Sequence, residues 1–570
     1  MSAKATSMLK LAVVSTLSLW LCGCDTSQPA AELVLRNGDV RTMNDASPSA
    51  SAFAVSAGKI VFIGTNEQAG RWIGPHTAVV DAGGLTVLPG LIDSHIHVAE
   101  GALSLGGCTL HNEQLTIEQA AAPIRACIAV DKSTTWIVVN EVNPAGFKAT
   151  RRELDAIESR RPLFLWGADG HTAWVNSRAL EVASITRTTP DPADGRIERD
   201  ARGEPTGFLV DGATGLALSM MDKPTPEKRM EALRRVLPML HTVGITSYLE
   251  ANTDEPTVLA YAQFAKLGEL TARVTVAFES SGESSPAEFE RLEALRKQLA
   301  GNALFRADFI KLFADGVMEY PTQTAALLAP YNDAQGKPGK STGKLYLTPE
   351  SMAAFVTEAG KHSFNIHVHA IGDGAVRETL DVFEKARAAG SKQLFSIAHL
   401  QLIDAADLPR FAKLDVAASV QLLWAQPDNY SIDALTPWLD ADRLARQYPA
   451  RSLVEAGATI AGGSDWDVTT FNPFEAMATA MSRRHPEHAE RPPLNPREAL
   501  PLDAMLRAYT LGAAKLIGRD HEVGSLSTGK FADFIVLDRR LTAATTADDI
   551  RGTKPSRVFF GGRELTTEAR

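Results

Sequence analysis

Cysteine is scarce in this chain of 570 residues, with four in all, two of them close together near the N-terminus. No basic run and no basic patch interleaved with aromatics occurs, which sets nucleic acid aside as a partner. The apolar stretch from Leu11 to Leu21 is eleven residues long, too short to cross a bilayer as a permanent helix. Behind Lys4 and Lys10 it reads instead as an export signal. Nothing points to disorder, because 45% hydrophobic and 22% charged residues is ordinary globular composition. The formal charge of -10 favours solubility and names no partner.

What the chain does contain is five short apolar segments that end in metal-ligating residue types. They are "LIDSHIHV", "FIKLFADG", "NIHVHAIGD", "FSIAHLQ" and "TIAGGSDW", which supply His95 and His97, Lys311, His369, His399 and Asp465. Polar residues at the C-terminal ends of apolar strands are where a (β/α)8 barrel assembles its active site. Eight candidate strands support that fold: Leu91 to His97, Gly244 to Leu249, Ala272 to Phe278, Asp308 to Phe313, Phe364 to His369, Phe395 to His399, Val416 to Gln421 and Thr459 to Ser464. Stretches with helical apolar spacing, such as "PEKRMEALRRVLPMLHTVG", fall between them. Turn-punctuated strand patterns at both chain ends predict one small β-sandwich domain built from the two termini. The expected organisation is an N-terminal signal at 1–24, a tether at 25–31, sandwich at 32–90, an α/β TIM-like barrel at 91–520 with a long insertion over about 101–229 after strand 1, and sandwich again at 521–570.

His95 and His97 stand two apart on a strand, so both face the same way and can share one metal. Lys311, inward-facing at the end of an apolar strand, must find a partner or lose its charge. Asp315 and Glu319 are the candidate partners for an ordinary salt bridge. His369 and His399 end consecutive strands and suit a second metal, while His367 lies deeper on the same face. Gly462 and Gly463 let the last strand crowd the site before Asp465, with Asp467 its rival on the same face. Such a ligand set suits zinc first, and also manganese, iron or cobalt. Gln421 and Trp424, at the end of strand 7, are candidate pocket residues.

The motifs "PGLIDSHIH", "DGHTAWVNSRAL", "GEPTGFL", "KLFADGV", "HAIGD", "GGSDW" and "GSLSTGKFADFIVLD" together resemble the amidohydrolase superfamily, and within it amidohydrolase family 3 with its YtcJ-like and N-substituted formamide deformylase-like members. The resemblance runs from about Ala31 to the C-terminus. It implies two divalent metals, with Lys311 carbamylated by carbon dioxide to bridge them and Asp465 serving as both ligand and proton shuttle. It also implies hydrolysis of a non-peptide carbon-nitrogen bond by a hydroxide held between the metals, on linear amides, formamides or N-acyl compounds. Asp169, His171 and Trp174 fall in the part that resembles the family's substrate-covering element, with His171 a hydrogen-bond donor to the substrate carbonyl. Deaminases of this superfamily place a glutamate three residues after the strand 5 histidine, where this chain has Gly372. Lactone or phosphotriester hydrolysis and a non-catalytic regulatory lipoprotein are the alternatives.

"Leu21-Cys22-Gly23-Cys24" resembles a bacterial lipoprotein box, which implies cleavage before Cys24, a lipid on its sulfur, and a membrane-anchored protein facing the periplasm. In that oxidising compartment Cys108 and Cys127 are expected to pair. A small-molecule substrate is the expected partner, with self-association left open.

Overall fold

A computed structural model describes residues 30–131 and 135–566. Its largest sheet holds eight parallel strands in sequential order. They are β1 (Leu91–Ile96), β2 (Ile245–Thr253), β3 (Arg273–Phe278), β4 (Phe305–Phe313), β5 (Asn365–Ala370), β6 (Phe395–His399), β7 (Val416–Val420) and β8 (Ile460–Gly462). All six residues of β1 and of β3 are buried, as expected of strands covered on both faces. Past Gly462 the chain closes the ring with two bonds to β1: Asp465 N–H donates to the His95 carbonyl at 2.8 Å, and His97 N–H to the Trp466 carbonyl at 2.6 Å. The result is the α/β barrel that the strand pattern predicts.

The crossover helices begin where local chemistry favours it. Thr225 accepts from the Lys228 N–H ahead of Pro226–Thr242, and Thr348 accepts from the Ser351 N–H ahead of Pro349–Lys361, each with proline as the first helical residue. Their apolar faces pack on the strands: Val236, Leu237 and Leu240 of the first are fully buried.

Two further units flank the barrel. Strands from both chain ends form a four-stranded and a six-stranded sheet, the latter pairing Thr86–Pro89 with Phe534–Leu537. Between them lies a core in which the Phe534 ring stacks on Phe559 at 4.2 Å and meets Phe53 edge-on at 4.9 Å. A buried ion pair ties this unit to the barrel, with Arg273 of β3 gripping Asp533 at 2.6 and 3.1 Å. The second unit lies between β1 and the helix Pro226–Thr242 and has its own six-stranded sheet. A Cys108 to Cys127 disulfide joins its edge strand Cys108–Thr109 to the helix Ile117–Val130.

Candidate metal centre

The register of the barrel brings the polar strand ends to one level: Lys311 of β4 sits beside His367 of β5, and Ala370 of β5 beside His399 of β6. Two of these positions leave extended geometry, since His399 (φ 77°) and Asp465 (φ 53°) adopt the left-handed region that non-glycine residues seldom occupy. Strain of this kind, on the order of 1–3 kcal/mol per residue, persists where the surrounding fold enforces it and clusters at functional sites.

Asp465 is the hub. Its Oδ1 lies 3.2 Å from His95 Nε2 and 3.0 Å from His97 Nε2. Among the described residues these three form a group with metal-ligand spacing, their donor atoms all within 4.8 Å of one another. Burial works against the Asp465 carboxylate, yet the His95 charge and the contacts to His95 and His97 hold it well below the usual range. Burial likewise pulls His97 down, but the hydrogen bond and charge of Asp465 outweigh it and bring that imidazole up to about 8. His95 goes the other way, down to about 3, because it is wholly buried and faces the Lys311 amine. The donor set therefore fits a divalent cation: His95 Nε2 and His97 Nε2 converge on Asp465 Oδ1, and His399 Nδ1, 3.9 Å from Asp465 Oδ2, is buried without a hydrogen-bond partner.

Lys311 is 1% exposed, with Nζ 3.3 Å from His95 Nε2 and 4.7 Å from the centre of the Phe313 ring. Neither suggested partner pairs with it. Asp315 instead accepts from the N–H groups of Ala326, Ile371 and Gly372 at 2.9, 3.0 and 2.9 Å, which fixes the loop after β5. Glu319 accepts from Gln401 at 3.1 Å. Loss of hydration brings the Lys311 amine down to about 7, opposed in part by Asp465. The His369 and His399 rings meet at an inclination of 58° with centroids 4.3 Å apart beside this group, and His369 Nε2 contacts the Gly316 carbonyl at 3.1 Å. His367 lies behind, with Nε2 2.7 Å from His95 Nδ1 and Nδ1 2.7 Å from Ser396 Oγ, so it orients His95 from below.

The site forms the floor of a cavity of about 790 Å³ that the insertion roofs. Asp169 and His171 line it, the latter through a 2.6 Å contact from Nδ1 to Asp211. Trp424 lines it too, with its ring stacked on His399 at 5.6 Å. Two expected pocket residues lie elsewhere. Trp174 is 2% exposed and packs between Phe147 and Phe208 in the core of the insertion, on the strand face turned from the cavity. Gln421 stands behind the centre, accepting from the His399 N–H at 3.0 Å and so holding that ligand's backbone. Asp467 lines the cavity without joining the Asp465 cluster, and burial with the Glu100 charge pushes it up to about 7. Tyr430, Tyr448 and Asp428, which sequence alone did not single out, also face the cavity.

A model of the amidohydrolase family matches residues 78–565. The chain belongs to this family. LONG AFTER FAR-RED 3 of Arabidopsis thaliana is 31% identical over 89% of this chain and 87% of its own length. N-substituted formamide deformylase of Arthrobacter pascens is 27% identical over 93% of this chain and 97% of its own length. Among solved structures, an uncharacterized metal-dependent hydrolase of Pyrococcus horikoshii OT3 superposes with a TM-score of 0.71 at 23% identity, over 90% of this chain and 99% of that one, a likeness of fold.

Proposed function

We propose that this amidohydrolase is a metal-dependent hydrolase of non-peptide carbon-nitrogen bonds, acting on linear amides, formamides or N-acyl compounds. The observation that carries the reading is the convergence of His95, His97 and Asp465 with a buried Lys311, whose amine contacts His95 and forms no ion pair among the described residues, on the floor of a cavity large enough for a small organic substrate. Similarity along nearly the whole of a formamide deformylase supports the substrate class.

Bound divalent metals, zinc first, would supply Lewis-acid polarisation and make water acidic enough to attack near neutral pH. His95, His97, Asp465, His369 and His399 would hold them, together with Lys311 as the carbamate that would form when its neutral amine adds carbon dioxide and releases a proton. Asp465 accepts the proton of the attacking water and delivers it to the leaving nitrogen as the carbon-nitrogen bond breaks. His171, held by Asp211 so that its imidazole stays protonated more readily than usual despite burial, donates from Nε2 to the substrate carbonyl oxygen. Cys24, which lies outside the described residues, would carry the lipid of an envelope-anchored form.

The test is Asp465→Asn in the metal-loaded protein with N-formyl and N-acyl amines as substrates. An amide cannot take the proton, so activity should fall at least about a hundredfold. Activity within tenfold of the parent refutes the shuttle, and a parent inert toward every amide offered refutes the reaction class.

A further inference from the structure

The cavity wall has a charge that the metal centre does not account for. Seven carboxylates line the cavity, against one lysine, Lys311 on the floor, and no arginine. Three of them are Asp169, Glu319 and Asp428; Glu319 and Asp428 belong to one hydrogen-bonded network, in which Gln401 donates to Glu319 and to Gln447 and Gln447 donates to the Ser431 carbonyl, and Asp169 lines the same cavity. Each has one oxygen tied and the other without a hydrogen bond. Asp169 Oδ1 takes the N–H groups of His171 and Thr172. Glu319 Oε1 takes Gln401, and Asp428 Oδ1 takes the N–H groups of Tyr430 and Ser431. None of the three forms an ion pair. Arg491, which donates to the Asp428 backbone carbonyl, is already paired with Asp433 at 2.8 Å.

Tyr448 supplies a separate observation. It is 4% exposed and lines the cavity, and among the described residues its hydroxyl meets no hydrogen-bond partner, so the polar end of an enclosed side chain is open to a ligand or water. Tyr430 is a second aromatic lining the same cavity, and its hydroxyl donates to Asn112 Oδ1 at 2.6 Å.

We propose that Asp169, Glu319 and Asp428, with Tyr430 and Tyr448, form a subsite for a cationic amine group on the substrate. The inference deepens the proposed function and rests on it for the word substrate. Carboxylates set beside aromatic faces recognise ammonium groups by charge and by cation–π attraction. A metal ion does not suit the place, because among the described residues donor atoms at metal-ligand spacing occur at His95, His97 and Asp465 and not here. An anionic tail does not suit it either, since the cation beside this wall, His171, is held by Asp211 and directed to the substrate carbonyl. Among the amides the centre can hydrolyse, those of diamines and other basic amines are preferred, and N-acyl amino acids with a free carboxylate are disfavoured.

Two measurements on the metal-loaded protein test this. Calorimetry compares choline with its uncharged isostere 3,3-dimethylbutan-1-ol, a pair in which the quaternary nitrogen cannot ligate metal. Choline should bind at least about tenfold more tightly, which corresponds to about 1.4 kcal/mol, and Glu319→Gln should erase most of that preference. Tyr448→Phe, which keeps the ring, should weaken choline by a few fold and guards against a folding defect in the first variant. Hydrolysis compares N-(5-aminopentyl)formamide with N-hexylformamide, and kcat/KM should favour the cation by at least about tenfold in the parent and not in Glu319→Gln. Equal binding of choline and the alcohol, or a preference that survives Glu319→Gln, overturns the subsite. So does equal kcat/KM for the two formamides. If choline is preferred and Glu319→Gln abolishes that preference, but neither formamide nor any other amide is cleaved, the subsite stands and the proposed reaction falls.

Discussion

Replacing Lys311 by methionine should make the metal-free protein more stable while crippling its metal centre. The side chain is 1% exposed and forms no ion pair, and the fold holds its amine from an ordinary 10.5 down to about 7. At about 1.36 kcal/mol per decade, keeping that amine in the interior costs the native state about 4 kcal/mol near pH 7. Methionine is similar in length, carries no charge and adapts to irregular space, with a repacking cost of up to about 1.5 kcal/mol. A net gain of about 3 kcal/mol is expected. The sign of the pH dependence follows from the direction of the shift. Between about 7 and 10.5 the unfolded chain binds the proton that the native state has lost, so the stability of the parent rises with pH and the advantage of the variant shrinks. Urea unfolding of chelator-treated protein in carbonate-free buffer at pH 7 and pH 10, followed by tryptophan fluorescence, reads both effects. Metal analysis of the reloaded variant should find at most one ion per chain. A variant no more stable than the parent at pH 7, or an advantage that persists at pH 10, would refute the picture of an uncompensated buried amine.

Three other perturbations probe the frame around the site. In Gly463→Ala the new Cβ would lie 2.9 Å from Gln421 Nε2 and 3.0 Å from His95 Cβ, so stability should drop by about 1–3 kcal/mol and metal affinity should fall with it, whereas Gly70→Ala, which meets nothing within 4 Å, should be silent in the same melting and metal-titration assays. Cys127→Ser opens a loop spanning 19 residues and should cost about 3 kcal/mol, seen as faster limited proteolysis of the insertion with metal content intact. Cys24→Ala should release the protein from the membrane fraction, and unchanged fractionation would reject lipid attachment there.

The barrel was legible because its strands are apolar runs closed by a polar residue, a pattern that burial on both faces imposes locally. Lys311 stood out for the same reason, since a charge inside such a run has few physical excuses. Trp174 and Gln421 were harder. Both occur next to apolar strand residues, and which side of a strand faces the cavity depends on the register against neighbours far along the chain: Trp174 pairs with Leu165 and Phe208, and Gln421 follows a strand paired with β8. The acidic and aromatic wall was out of reach for a stronger reason. Asp169 stood in a motif already singled out, but Glu319, Asp428 and Tyr448, which join it on the wall, come from separate loops far along the chain, and none of these three sits in a motif that marks it for binding.

The pairing of Thr86–Pro89 with Phe534–Leu537 also sets an order of events during synthesis. Strand β1, with His95, begins two residues after Pro89, and Arg273 of β3 awaits Asp533. A ribosome must therefore deliver nearly the whole polypeptide before the strand that leads into β1 acquires its C-terminal partner. Early segments wait with open edges, a state prone to mispairing. Should the chain be exported while still unfolded, that delay becomes useful: the centre could first hold metal only after translocation, and the compartment of folding would decide which metal is acquired.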